Sequence, residues 1–149
     1  MTGLKTGTWV LVADGQKALF LENVGDEQAM HLKVVRKEKQ DNPATSEQGT
    51  DRPGRMNDGP SVHRSALSDA DWHQLQKERF AQDLADLLYE RAHANRFDTI
   101  VLVAAPEILG ALRSNLHKAV RDRVIGEIAK TLTPQPLDEI ERRLSAELG

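Results

Sequence analysis

Asp98-Thr99-Ile100-Val101-Leu102-Val103-Ala104 decides the fold. The run is short, rich in β-branched residues and bounded by polar ones, the pattern of a strand buried on both faces. Before it, Trp72, Leu75, Phe80, Leu84, Leu87 and Leu88 recur at helical spacing, with Ala81, Ala85 and Ala92 beside them. That period predicts a long amphipathic helix, opened by the capping-box-like pair Ser68 and Asp71 and ending near Asn95. Trp72 and Phe80 fall on its buried stripe, which makes them core residues rather than a stacking platform for bases. After the strand, Pro106 suits the first turn of a second helix, and Glu107 sits where the dipole favours an acid. Leu109, Leu112, Leu116 and Val120 form its buried stripe.

Toward the N-terminus, Trp9-Val10-Leu11-Val12-Ala13 is a second apolar run of the same kind. Asp14-Gly15 suits a type I′ hairpin turn. Ala18 to Leu21 resumes the apolar character, and Asn23 to Asp26 reads as another turn. His31 to Lys39 places Leu32, Val34 and Val35 among Lys33, Arg36, Lys37 and Lys39, an edge strand whose charge discourages edge-to-edge pairing. Toward the C-terminus, Val124, Ile125, Ile128, Ala129 and Leu132 fit a helical period, while VIGEIA also fits a strand. The strand is preferred because the helix before it otherwise has no return. Pro134 and Pro136 punctuate, and Leu137, Ile140, Leu144 and Leu148 make a final amphipathic helix.

The resulting order is βββαβαβα. A three-stranded meander followed by right-handed βα crossovers gives an α/β fold with a mixed five-stranded sheet, in the order of the ribonuclease H-like fold. Such an inference carries no function with it. The chain of 149 residues, 39% hydrophobic and 29% charged, suits one domain over 1–149. A net charge of −3 argues against a protein-wide nucleic-acid footprint. Without cysteine there are no disulfides, thiolate nucleophiles or Cys-based metal sites. The N-terminal apolar run is too short for a signal peptide or a membrane span, so a cytoplasmic protein without a membrane partner is expected.

Residues 40–66, QDNPATSEQGTDRPGRMNDGPSVHRSA, interrupt this order between the third strand and the first helix. Connections in compact domains usually run about 4–6 residues, and those beyond about 12–15 tend to be functional or disordered. Arg52, Arg55 and Arg64 could together contact phosphate or carboxylate. The competing reading pairs them with Asp51 and Asp58 to order the loop. Gly49, Gly54 and Gly59 permit close backbone approach. GTDRPGR lacks the GK[ST] of a phosphate loop.

Familiar chemistries find little support. A two-metal nuclease needs converging carboxylates. Asp14 ends the first strand and Asp83 or Asp86 lies on the helix, but the fourth strand runs into Ala104-Ala105-Pro106. Asp14 then reads as a turn residue. His31, His63, His73, His93 and His117 make no HExxH pair. His73 and His93 read as residues on the helix's solvated or boundary face and His117 as a helix-end residue. His63 in the long loop is a candidate base, against a plain polar role. Ser61, Ser65 and Ser68 look like turn and cap residues, with no GxSxG nearby. The patch Lys33, Arg36, Lys37 and Lys39 could meet RNA or an acidic protein, against the reading of a merely solvated edge.

TWVLVADGQKALFL (8–21), DNPATSEQGTDRPGR (41–55), FDTIVLVAAPEILGALR (97–113) and LTPQPLDEIERRL (132–144) together resemble the bacterial host attachment protein family. That family in turn resembles the middle domain of archaeal and eukaryotic peptide release factors, a ribonuclease H-like fold. The resemblance implies a loop before the long helix that carries a Gly-Gly-Gln motif promoting peptidyl-tRNA hydrolysis. No Gly-Gly-Gln occurs in this chain; Gln48-Gly49 has the wrong order. The resemblance therefore implies a translation-associated protein, without catalytic residues or cofactor, whose loop binds ribosome, tRNA or a protein partner. Gln48, Gly49, Thr50, Asp51, Arg52, Gly54, Arg55, His63 and Arg64 are the candidate binding residues. The alternatives are a hydrolase of an RNA-linked ester and an oligomerising scaffold.

Overall fold

The computed structural model of the chain describes residues 4–40 and 59–148, with 59–71 described in backbone only. The two apolar runs form the centre of one sheet. β1 (Trp9–Ala13) and β4 (Ile100–Ala104) are buried at every position and pair in parallel, Trp9 opposite Ile100 and Ala13 opposite Ala104. β2 (Lys17–Asn23) and β3 (Leu32–Lys39) continue the sheet antiparallel on one side, and β5 (Val124–Ile128) pairs parallel with β4 on the other. The strand order is β3-β2-β1-β4-β5.

Alternate residues of β1 and β4 face opposite cores, as a two-residue period requires. Trp9, Leu11, Ile100 and Leu102 pack with Phe20 of β2 against α1 (Gly59–His93) and α2 (Pro106–Asn115). The partner residues from those helices are Phe80, Leu84 and Leu88, and Ile108, Leu109 and Leu112. Val10, Val12, Val101 and Val103 pack on the other face against Ile140 and Leu144 of α4 (Leu137–Leu148). Helices thus cover both faces of a mixed sheet, which is why β1 and β4 carry no alternating polar residues.

Four expectations need correction. α1 begins at Gly59, not at Ser68, because Pro60 takes a first-turn position where its missing N–H costs nothing. Residues 59–66, including Gly59, His63 and Arg64, are therefore helix rather than loop. Trp72 and Leu75 are not core: they are 37% and 44% exposed, while Phe80 is 4% exposed. The Asp14-Gly15 turn is not type I′, which needs two positive φ values. Among the described residues only Asn95 (φ 59) and Gly7 (φ 90) have positive φ. Instead the Asp14 carboxylate accepts from the amides of Gln16 and Lys17, at 2.7 and 2.8 Å, and stabilises a three-residue connection. The helix after Pro106 also breaks at Leu116, which is extended (ψ 133). A short helix α3 (Lys118–Arg121) follows, with the His117 ring nitrogen accepting from the Ala119 amide.

Two polar knots hold the ends of the elements. Asn23, fully buried, donates to the Leu4 carbonyl at 2.7 Å and accepts from the Gly25 and His31 amides at 3.0 and 2.9 Å. This joins the N-terminal segment to the β2–β3 turn. At the end of α1, Asn95 adopts the left-handed conformation of a helix cap. The Arg96 amide reaches the Arg91 carbonyl and the Asn95 amide the Ala92 carbonyl, both at 2.9 Å, as in a Schellman motif.

Candidate functional site

Of the candidate binding residues, Gln48, Gly49, Thr50, Asp51, Arg52, Gly54 and Arg55 lie outside the described residues. His63 and Arg64 fall in the first turns of α1, where only the backbone is described. The ground on which segment 41–58 stands is well defined. Chain enters it from Gln40, just past the end of β3, and leaves it into α1.

Gln40 ties that departure point to the body of the protein. Its amide donates to the Gln16 carbonyl, continuing the β2–β3 ladder by one residue. Its side chain donates to the backbone carbonyl of Gln76 at 2.9 Å and to the Gln76 side-chain oxygen at 2.6 Å. Gln76 is only 8% exposed, so its amide relies on this partner. The same end of the sheet holds Asp14, whose second carboxylate oxygen accepts from the Thr133 hydroxyl at 2.6 Å. Burial alone would raise the Asp14 carboxyl. The bonds from Thr133, Gln16 and Lys17 and the Lys17 charge outweigh it and hold the group below its ordinary value. With its oxygens occupied by these donors, Asp14 serves the turn. Among the described residues no three His, Asp or Glu side chains converge on a metal-sized space.

Gln76 also marks a change in burial along the described side chains of α1. On its C-terminal side Phe80, Ala81, Leu84, Ala85, Leu88 and Ala92 are buried; on its N-terminal side Trp72, His73, Gln74 and Leu75 are all exposed. The 35-residue helix spans about 52 Å at 1.5 Å per residue. The five-residue strands beneath it reach only about 17 Å. Gln76 is the first buried position among the described side chains of α1, and the backbone from Gly59 to Leu75 adds roughly 25 Å of helix before it. Trp72 borders an open groove between α1 and the end of β3, shared with Lys39, Gln40, Arg79 and Leu87. The helical period alone assigned Trp72 to the core. The helix outruns its sheet, and a stripe of apolar residues has no means of showing where the sheet beneath it ends.

Lys33, Arg36, Lys37 and Lys39 are exposed along β3, as an edge strand requires. Arg36 pairs with Glu38. His73 and His93 are exposed on α1, and His117 stacks on Tyr89 with ring centroids 4.1 Å apart. Among the described residues no helix is long and apolar enough to cross a membrane. A family model described as Bacterial archaeo-eukaryotic release factor family 12 matches residues 7–144. Comparison with curated proteins returned no match.

Proposed function

The chain belongs to the bacterial archaeo-eukaryotic release factor family 12, and on that premise we propose a translation-related role in which segment 41–58 binds ribosomal or transfer RNA. The observation that carries the proposal is the overshoot of α1. N-terminal to Gln76 the side chains of Trp72, His73, Gln74 and Leu75 are all exposed and the helix runs on to Gly59, so the element that segment 41–58 leads into is much longer than the five-residue strands it packs on. Its N-terminal root is held by the bonds from Gln40 to Gln76. Arg52 and Arg55 supply charge to the proposed contact, and Gly49 and Gly54 let its backbone approach closely.

The strand order supports the ribonuclease H-like reading of the fold. The absence of Gly-Gly-Gln from the sequence supports binding without catalysis. We read the resemblance to host attachment proteins as a downstream effect of such a role. Co-sedimentation with ribosomes across a salt series tests it. Binding is expected to weaken with salt, and Arg52→Ala with Arg55→Ala to flatten that dependence by about 1.4–1.8 in log–log slope. An unchanged slope would remove the arginine assignment, and no co-sedimentation at low salt would remove the RNA-binding role. Peptidyl-tRNA turnover abolished by Gln48→Ala would instead establish the hydrolase.

A further inference from the structure

We infer that a pocket at the opposite end of α1 from segment 41–58, lined by Trp9, Glu22, Val35, Arg36, Arg91 and Arg96, is a phosphate-binding site. Three separate local devices bring its arginines together. Between β2 and β3 the register slips: Leu21 pairs with Val34 but Phe20 with Arg36, leaving Val35 as an extra residue. Phe20 faces α1, so this bulge turns Arg36 onto the α1 side of the sheet. Without it the two-residue period would put Val35 opposite Phe20 and send Arg36 to the other face. Arg91 comes from the last turn of α1, and the left-handed Asn95 cap folds the chain so that the Arg96 amide bonds to the Arg91 carbonyl.

The pocket encloses about 210 Å³ and is open on one side. That is room for several waters at about 30 Å³ each, or for one tetrahedral oxyanion. Three guanidiniums and one carboxylate, Glu22, leave it cationic, and Lys33 stands across the strand from Glu22 on the same face. Arg36 has Glu38 as a partner, but among the described residues Arg91 and Arg96 are in no ion pair. All three cations in the lining are arginines, whose planar forks match phosphate geometry in a way that lysines do not. Trp9, 94% buried by its 6% exposure, is held from behind by Phe20 and Phe97, with ring centroids at 6.1 and 5.0 Å. Its indole N–H is the one buried side-chain polar atom without a hydrogen-bond partner among the described residues. A buried donor without a partner is destabilising, and an acceptor that reached it would relieve that cost. Arg36, whose side chain is 41% exposed, shares the lining with Trp9.

The chain contains two tryptophans, so the Trp72→Phe variant leaves Trp9 as the single indole resonance in an ¹H–¹⁵N spectrum. Titrating that protein with inorganic phosphate, with chloride at matched ionic strength as control, is expected to move the Trp9 resonance saturably. Arg91→Gln with Arg96→Gln is expected to weaken the binding at least about tenfold, since charge-assisted bonds to the anion are lost. A ten-nucleotide single-stranded RNA distinguishes the source of the phosphate. A response to inorganic phosphate identifies a site for free phosphate or a phosphomonoester, and a response to RNA alone identifies a backbone phosphate. No response to either probe, or the same response in the double variant, would overturn the inference. Far-UV circular dichroism checks that the variant is folded, and Arg36→Gln gives a second variant confined to an exposed side chain. Because segment 41–58 is untouched, loss of phosphate binding and loss of ribosome binding are separable results.

Discussion

Replacing Gln40 by Ala tests whether the root of segment 41–58 is built or incidental. The substitution removes two hydrogen bonds, at 2.9 Å to the Gln76 carbonyl and 2.6 Å to its side-chain oxygen. Each is worth about 1 kcal/mol net. It also strands a Gln76 amide that is 8% exposed, which adds part of a desolvation cost of about 1–3 kcal/mol. The sum is about 2–3 kcal/mol, a fall in Tm of roughly 5–10 °C for a chain of this size. Gln76→Ala deletes one of the bonds and strands nothing, because the half-buried Gln40 keeps the backbone carbonyl; about 1 kcal/mol is expected. If the two glutamines act on each other, the double variant loses no more than Gln40→Ala alone, for a coupling of about 1 kcal/mol. Urea denaturation of the four proteins measures the cycle, and hydrogen exchange at the Gln40 amide, which bonds to Gln16, reports whether the root frays. Additive losses below about 0.5 kcal/mol with unchanged exchange would refute the clamp.

Asn23→Ala removes a fully buried amide that serves Leu4, Gly25 and His31, and is expected to cost about 3 kcal/mol, seen as a Tm lowered by roughly 6–12 °C. Gly25→Ala is expected to cost at least about 2 kcal/mol, because the new Cβ would lie 2.1 Å from the Ala29 carbonyl oxygen. Gly110→Ala, where nothing lies within 4 Å, is expected instead to stabilise α2 by about 0.5–1 kcal/mol; equal effects of the two in thermal melts would contradict the packing. Asp14 has its folded pKa depressed, so its contribution is complete above the ordinary carboxylate value of about 3.9 and disappears as pH falls through the lower folded value. Thr133→Val, which deletes one cause of that depression, is expected to make Tm fall less steeply below about pH 4, and an unaltered acid limb would show that the bond contributes nothing.

The parts of the fold legible in the sequence were those where burial speaks on both faces. β1 and β4 are apolar at every position because helices cover each side, and the basic β3 announces an edge. What sequence could not show depends on partners far along the chain. Asn23 reads as a turn residue, and only the meeting of Leu4, Gly25 and His31 around it makes it a buried knot. The Val35 bulge leaves no mark in a strand already irregular in its polar pattern. The break at Leu116 is hidden because Leu116 and Val120 stay buried on either side of it, although His117 could have been read as a cap. Pro60 was the available signal for the true start of α1. For the site, sequence marked the segment before α1 by its length and composition. It did not find Gln40 and Gln76, whose pairing spans 36 positions.

The parallel pairing of β1 with β4 sets a schedule for synthesis. Thr8 and Thr99, whose hydroxyls meet at the start of these strands, are 91 positions apart. Ribosomes add about 5–20 residues per second. The β1–β2–β3 hairpins can therefore form first, and then wait about 3–13 s, the time to add the residues from β3 to the end of β4, with the edge of β1 uncovered. An edge with Trp9, Val10, Leu11 and Val12 in succession is an open template for another nascent chain. Expression yield should therefore be sensitive to translation speed between residues 40 and 104 even where the finished protein's stability is unchanged.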